Sequence, residues 1–437
     1  ALMAAENWDD HNRSGRRTST EMARNYLNSV GENGILITHG DNDTFPLWYA
    51  QEIESVRTDV RIVNTSLLGT DWHIDQMKYA VNESKPLPLT VPARQYLYGT
   101  NEYIFITGDD GNPMAIGDVM GIFKDPRMRV DLSSGRKADF ICARKLIIPV
   151  DRENVLRHGI LEEKFASEIP DSIVMEIPAD KNYLTKPELF VLDLLSNYKW
   201  DRPLSVLNMG GDLNVGLKDY LMYDGFSYRF TPLKNKITAT DLGKVDTESL
   251  YRKMKEVYTW DAMKRTDWYV DYQNCYTFLG VLSQRAMYCN VAEALLADGK
   301  KDKALEILDL CQENVPEENF PLESIPLGFS TNDYMVIRMV RCYYTAGAPE
   351  KARDLAVRIG DDLVASARFY LEFYDYARHD FDLCGQYVYY LADIMRKNSD
   401  AEIAKQLEDN FELLIRVASG GSPLGPDENT QGQDLAE

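Results

Sequence analysis

The sequence predicts an α/β domain with a mainly parallel sheet, followed by an all-α domain of repeated helical pairs. Three observations predict this. In the first half, short apolar runs such as Ile35-Leu36-Ile37 are each followed by a turn and then by apolar residues at helical spacing. Beyond about Lys253 the strand-type runs stop and long helical patterns take over. Within that second half a glycine and an alanine recur five residues apart, Gly299 with Ala304 and Gly347 with Ala352.

Taken in order, residues 7–16 (NWDDHNRSGR) form a polar cluster around Trp8. A helix follows, capped by Thr18 or Ser19, with Met22, Tyr26, Leu27 and Val30 as its apolar stripe. The stretch GILITHGDNDTFPLWY (34–49) reads as strand, acidic turn and helix. Pro46 suits a first turn, Asp43 or Thr44 suits a cap, and Phe45, Trp48, Tyr49, Ile53 and Val56 mark the face expected to be buried. Val60–Val63 is the next strand, and it leads through Gly69 and Asp71 to a helix carrying Trp72, Ile74 and Met77. Short joints between alternating strands and helices argue for parallel, Rossmann-like pairing. Prolines and a GDDGNP turn break this alternation over about 85–144, which is expected to be an irregular insertion. Leu146–Val150, Ile173–Ile177 and Leu204–Leu207 are further strands, Pro187 opens a largely buried helix, and Phe226–Phe230 is expected to close the sheet at an edge. The α/β domain thus spans 1–235, with a polar linker over 236–252 and a helical domain over 253–419. There, Ala292, Gly299, Ala304, Leu308, Cys311 and Pro316 fall at the positions of a tetratricopeptide repeat. The step of 48 residues from Gly299 to Gly347 exceeds the standard period, so the second helix or the loop must be extended. Residues 420–437 have almost no apolar content and are expected to be disordered.

Composition excludes some partners. A net charge of −21 over 437 residues repels phosphate polyanions, so nucleic acid is not an expected partner. Six cysteines contain no CxxC pair and lie mostly in apolar helical patterns, which suits free buried thiols. No apolar run is long enough to insert in a bilayer, and a chain opening at Ala1 is expected to be a piece of a longer protein.

The chemistry-bearing residues are mainly acidic. Asp41, Asn42, Asp43, Asp71 and Asp212, with Asn208, follow strand ends, where ligands bind in open α/β sheets. Asp9, Asp10, Asp41 and Asp43, with His11 or His73 as nitrogen donors, form a candidate set for a divalent cation such as calcium or magnesium. Aspartates after strands also cap helices and shape turns, which needs no ligand. Asp41-Asn42-Asp43 matches a D-x-D motif of soluble glycosyltransferases, but the roughly forty residues before it are too few for the nucleotide-binding unit such enzymes place there. Trp8 and Trp72 are the aromatic rings best suited to stack on a sugar, Trp48 being expected in the core. GxSxG, HExxH, GxxxxGK[ST] and GxGxxG are all missing from the chain.

The phrases NWDDHNRSGR (7–16), GDNDTFPLWYAQE (40–52), TDVRIVNTSLLGTDWHIDQM (58–77), IPVDRENVLRHGI (148–160) and YLTKPELFVLDLLSNYKWDRP (183–203) together carry a resemblance. They resemble the soluble C-terminal region of a family of multi-pass membrane proteins common in Bacteroidetes, described as protein O-mannosyltransferase-like, GT-C-like glycosyltransferases. The resemblance is strong over about 1–235 and looser beyond. It implies a periplasmic accessory region, tethered through an N-terminal membrane domain that is its partner in the same parent protein, with transfer chemistry on that membrane domain. It further implies contact with an acceptor protein, a glycan or another partner, no turnover by this region alone, and no catalytic residue at any position here. The alternative is a metal-dependent enzyme acting on a sugar or phosphate ester at the acidic strand ends.

Overall fold

The computed structural model describes residues 2–12, 14–108, 111–131, 135, 137–207, 213–238, 241–267, 281–322, 326–327 and 330–419. Two compact units emerge, Arg17–Thr259 and a second formed by Ala1–Arg16 with Trp260–Glu437.

The first unit begins with helix α1 (Thr18–Ser29), strand β1 (Ile35–Thr38), helix α2 (Asp41–Glu52), strand β2 (Arg61–Asn64) and the short helix α3 (Asp71–Gln76). Ile35, Leu36 and Ile37 are all buried because the sheet is covered on both faces. Leu36 and Ile62 pack with Ala23 and Leu27 of α1 and with Leu47 and Ala50 of α2. Ile35, Ile37 and Val63 face the larger core. Strand β1 pairs in parallel with β2 on one side (Ile35 opposite Arg61) and, on the other, with a late strand, Leu204–Val206 (Ile35 opposite Leu204).

Between β2 and that late strand come β3 (Ile104–Ile106), β4 (Met114–Ala115), helix α4 (Ile116–Lys124), β5 (Phe140–Ile141), β6 (Lys145–Pro149), β7 (Ser172–Glu176), β8 (Tyr183–Leu184) and helix α5 (Lys186–Ser196). The described residues of 85–144 therefore hold helix α4 and short strands, of which β3, β4 and β5 join later strands in two small sheets, ordered β8-β3-β5 and β4-β6-β7, while Val130–Asp131 pairs with Lys137–Ala138 in a third. Its strands are two or three residues long, too short to show a period in the sequence. The run Ile173–Ile177 does form a strand, β7, but it pairs antiparallel with β6, away from the main sheet. Helix α5 is buried from Leu189 to Leu195, and its Thr185 and Glu188 make a capping box. Buried Asp193 accepts from Thr90 N (2.7 Å), Thr90 Oγ1 (2.7 Å) and Val91 N (2.8 Å), so its burial is compensated.

The late strand Leu204–Val206 is β9, followed by β10 (Leu221–Tyr223) and β11 (Tyr228–Phe230). The main sheet runs β10-β11-β9-β1-β2. It is mixed rather than mainly parallel, because β11 returns antiparallel to β9 and β10 antiparallel to β11. The edge is β10, not the segment 226–230, since the Asp224 to Ser227 turn folds the two into a hairpin. Residues 236–252 include a helix, Thr247–Arg252, capped by the Asp246 side chain on Ser249 N and burying Leu250.

Two features of α2 differ from expectation. The helix starts at Asp41, with Gly40 as N-cap and no side-chain cap, so Pro46 lies inside it and Asn42 O receives no N–H from position 46. Its buried side chains are Thr44, Leu47, Ala50 and Gln51, while Phe45, Tyr49 and Ile53 are exposed. From Phe45 to Ala50 every residue is apolar or aromatic, so spacing alone selects no face, and the close approach of α2 to β1 and β2 favours the small and aliphatic residues. Helix α1 likewise has Arg17 at its N-cap and no side-chain cap from Thr18 or Ser19.

The second unit carries helices α6 (Val281–Ala297), α7 (Lys301–Asn314), α8 (Asn332–Ala346), α9 (Pro349–Glu372), α10 (Tyr374–Lys397) and α11 (Ala401–Ala418). Gly299 (φ 74°) ends α6 and Gly347 (φ 91°) ends α8, each in the left-handed conformation that lets the chain reverse into the next helix. Ala292, Ala304, Leu308, Cys311 and Ala352 are buried where the helices meet. The 48-residue step is absorbed between Asn314 and Asn332, in the connection rather than in α7. Cys289, Cys311, Cys342 and Cys384 are buried. The tail 420–437, like Cys275, lies outside the described residues.

Candidate functional site

A buried polar network fixes the geometry where α2 meets the strands. Asn64 Nδ2, at the end of β2, donates to Thr44 Oγ1 (2.8 Å), and Thr44 Oγ1 donates to Gly40 O (2.7 Å) and lies 2.7 Å from Thr38 Oγ1 of β1. Asn64 Oδ1 accepts from Leu67 N (3.1 Å), starting the turn that leads to α3. These bonds set α2 and α3 beside the unpaired edge of β2, the last strand of the sheet. Between them lies a cavity of about 450 Å³, walled by Trp48, Trp72, Tyr79 and Met77 and rimmed by Glu52 and Asn82.

His73 lies in this wall, 1% exposed. Its ring centroid is 5.3 Å from that of Trp72 and 6.4 Å from that of Trp48, and Phe45 stacks on Trp48 at 5.6 Å. Asn64 N–H points at His73 Nε2 (3.4 Å), which makes Nε2 the acceptor and assigns the ring proton to Nδ1. That Nδ1 is buried and makes no hydrogen bond of ordinary geometry among the described residues, the Gln76 side chain being the one group that meets the ring from farther off. An unsatisfied buried donor costs about 1–3 kcal/mol, and proteins normally avoid it. Burial pushes the imidazole down to about 4, with the nearby Gln76 side chain opposing and the Arg61 guanidinium adding to the depression. His73 is therefore neutral at physiological pH.

Arg61 reinforces the electrostatics. It is 4% exposed, and its guanidinium donates only to neutral acceptors, among them Ser84 Oγ (3.2 Å), Tyr79 O (2.9 Å) and Ser84 O (3.1 Å). Burial, then the neighbouring Arg202 charge, lowers it to about 10. Arg202 is bonded in the same way, to Asn33 O (2.6 Å), Lys85 O (3.1 Å) and Ser84 Oγ (3.1 Å). Arg61 thus lines the cavity and Arg202 lies behind its Ser84, and among the described residues neither guanidinium has a carboxylate in direct contact.

The residues singled out in the sequence divide accordingly. Trp72 and His73 are brought together at the cavity. Trp48 corrects the sequence reading: it is half-buried, packing on the α1–α2 core with one part and lining the cavity with another. Asp41 and Asn42 are exposed in the first turn of α2, and Asp43 is half-buried beside Tyr26, whose hydroxyl is pushed up to about 12 by burial and by that carboxylate. Asp71 accepts from Tyr98 N (3.3 Å) at the start of α3. His11 Nδ1 lies 3.0 Å from Asn7 O, and Trp8 is 68% exposed in the other unit. The side chains of Asp9 and Asp10, and all of Asn208 and Asp212, lie outside the described residues. Among the described residues no three His, Cys, Asp or Glu side chains are grouped to hold a metal. Gln76, Tyr79 and Asn82 escaped sequence reasoning because no motif marks them. Only the density of aromatic residues over 45–49 and 72–79 signalled the site.

A larger hollow of about 530 Å³ lies in the helical unit, lined by charged groups. Those cations are already engaged, Lys351 with Asp309 (2.7 Å) and Arg358 with Asp354 (2.9 Å) and Glu317.

The class of protein is thus a mixed α/β domain with a ligand-sized aromatic cavity, joined in sequence to an all-helical unit. Among the described residues no helix is long and apolar enough to cross a membrane. The family model of TMEM260-associated domain 2 matches residues 19–249, just over half of the chain and almost the whole α/β unit, and the chain belongs to that family. No curated protein and no solved structure matches the chain. At this level the resemblance seen in the sequence holds, for the domain is one associated with a TMEM260-like membrane protein family.

Proposed function

We propose that this chain is the extramembrane accessory region of a TMEM260-like, O-mannosyltransferase-like membrane protein, facing the periplasm of a bacterial cell, and that it binds rather than turns over. It contacts acceptor protein, glycan or a partner through the cavity between α2, β2 and α3, while the membrane domain of the parent protein carries the transfer chemistry. The observation that carries this reading is the cavity itself, where Trp72 and Tyr79 stay exposed beside the buried, poorly satisfied ring of His73. Binding sites have this composition, an apolar lining with a few placed polar groups. Two finer readings accompany it. The divergence of β2 and β9 to opposite sides of β1 supports a Rossmann-like core, and the glycine-turned helical pairs support a tetratricopeptide-like second unit.

A fluorine NMR fragment screen on the purified chain tests the reading. Fragments are expected to bind the wild type and to lose binding in Trp72→Ala. If no fragment's binding depends on Trp72, the cavity is not a ligand site. A second arm incubates the chain with nitrophenyl glycosides and nitrophenyl phosphate in the presence of calcium or magnesium. Product formation abolished by Asp41→Asn would overturn the non-catalytic part of the proposal.

A further inference from the structure

Resting on the cavity as a binding site, we infer that its ligand is a neutral carbohydrate ring. Four features of the wall select that chemistry. Trp72 is 48% exposed and Tyr79 69% exposed, so two large rings meet solvent at the same opening, a cost in apolar exposure that a stacked sugar face would remove. The Nδ1–H of His73, in the same wall, makes no hydrogen bond of ordinary geometry and is met only by the Gln76 side chain, which favours a ligand that brings an acceptor oxygen. A hydroxyl or ring oxygen supplies one, and a hydrocarbon side chain does not.

The rim offers the complementary polarity. Asn82 Nδ2 donates to Glu52 Oε1 (3.1 Å), which places an amide and a carboxylate side by side at the mouth. Sugar hydroxyls donate and accept at once, so they suit a site where a buried donor and a carboxylate acceptor stand together. Charge then narrows the class. The buried Arg61 and Arg202 guanidiniums at and behind the cavity disfavour a cationic ligand, and Glu52 at the rim disfavours an anionic one. A neutral ring is left. The volume of about 450 Å³ suits a ligand of one or two such rings.

Saturation-transfer NMR on the full chain decides the matter, using methyl glucoside, methyl galactoside, methyl mannoside, N-acetylglucosamine, maltose and cellobiose. Glucuronate and glucosamine serve as charged counterparts and N-acetyltryptophanamide as an aromatic amide. At least one neutral saccharide is expected to bind in the millimolar range, more tightly than either charged sugar. Trp72→Ala is expected to weaken it by about tenfold or more, equivalent to about 1.4 kcal/mol. His73→Phe, which keeps a ring and removes the donor, is expected to weaken it as well, whereas Tyr376→Ala in the helical unit leaves it unchanged. Thermal melts establish that each variant is folded. Binding of no neutral saccharide, or binding indifferent to both Trp72→Ala and His73→Phe, overturns the inference. If N-acetyltryptophanamide alone binds and depends on Trp72, the carbohydrate assignment fails while the cavity stands. If no probe or fragment depends on Trp72, both fail together.

Discussion

Two aromatic clusters in the α/β unit treat their rings in opposite ways. Around Trp200, Tyr198 and Phe230 the rings are buried, Trp200 stacking on Phe230 at 5.1 Å and 11°. Every polar tip there is engaged, Trp200 Nε1 donating to Pro149 O (2.8 Å) and Tyr198 OH to Arg202 O. Trp200 even holds a left-handed backbone, φ 57°, a conformation costing roughly 1–3 kcal/mol that persists because the packing around it leaves no alternative. Around Trp48, Trp72 and His73 the rings line open space, and the buried His73 Nδ1 makes no hydrogen bond of ordinary geometry among the described residues. Satisfied and sealed, the first cluster stabilises the fold. The second retains free aromatic area and a poorly met hydrogen-bond donor, which a ligand would cover and satisfy.

Four measurements break or sharpen this contrast. The largest effect is expected from Trp200→Ala, which should cost about 3–5 kcal/mol in urea unfolding, since a fully buried indole leaves a cavity behind. A loss under 1 kcal/mol would mean the cluster is not a core. Next comes the pH dependence of His73. Its folded value of about 4 lies below the unfolded value of about 6.5, so between them only the unfolded chain takes up the proton. The contribution to stability is whole above about pH 6.5 and falls as the pH drops toward 4, by up to about 3 kcal/mol. His73→Phe should flatten that part of the profile relative to wild type, and an unchanged slope would show that His73 is not held neutral.

Smaller is Tyr198→Phe, which removes one buried hydroxyl and leaves Arg202 O short of a donor, at about 1 kcal/mol by denaturant titration. The smallest change in stability is expected for Trp72→Ala, within about 1 kcal/mol because the ring is half in water, although ligand binding at the cavity should suffer most there. Should Trp72→Ala destabilise as much as Trp200→Ala, the second cluster would be structural too.

Much of the scaffold was legible in the residues. Strands β1, β2 and β9 are short runs of Ile, Leu and Val, and sheets covered on both faces require such runs. The turns of the helical unit were marked by Gly299 and Gly347, whose positive φ angles no other residue type adopts as cheaply. The small sheets over 85–144 were not legible, because strands of two or three residues carry no periodicity. Of the candidate site, Trp72 and His73 were found as isolated residues, but the cavity was not, since its members come from α2, the flank of β2, α3 and the turn at Tyr79–Ser84.

The sequence by itself determined which segments form strands and helices, because hydrophobic period and backbone preference act over a few neighbouring residues. It also determined that the acidic turns after the strands begin helices. Only the tertiary structure decided which side of α2 is buried, since Phe45, Leu47, Trp48, Tyr49 and Ala50 offer apolar area all round and close packing against β1 and β2 accepts Leu47 and Ala50. That choice turns Trp48 toward the cavity and leaves Phe45 and Tyr49 in solvent. The protonation of His73 was settled in the same way, by Asn64 N–H, a backbone group nine residues away that reaches the ring only once β2 and α3 are folded together.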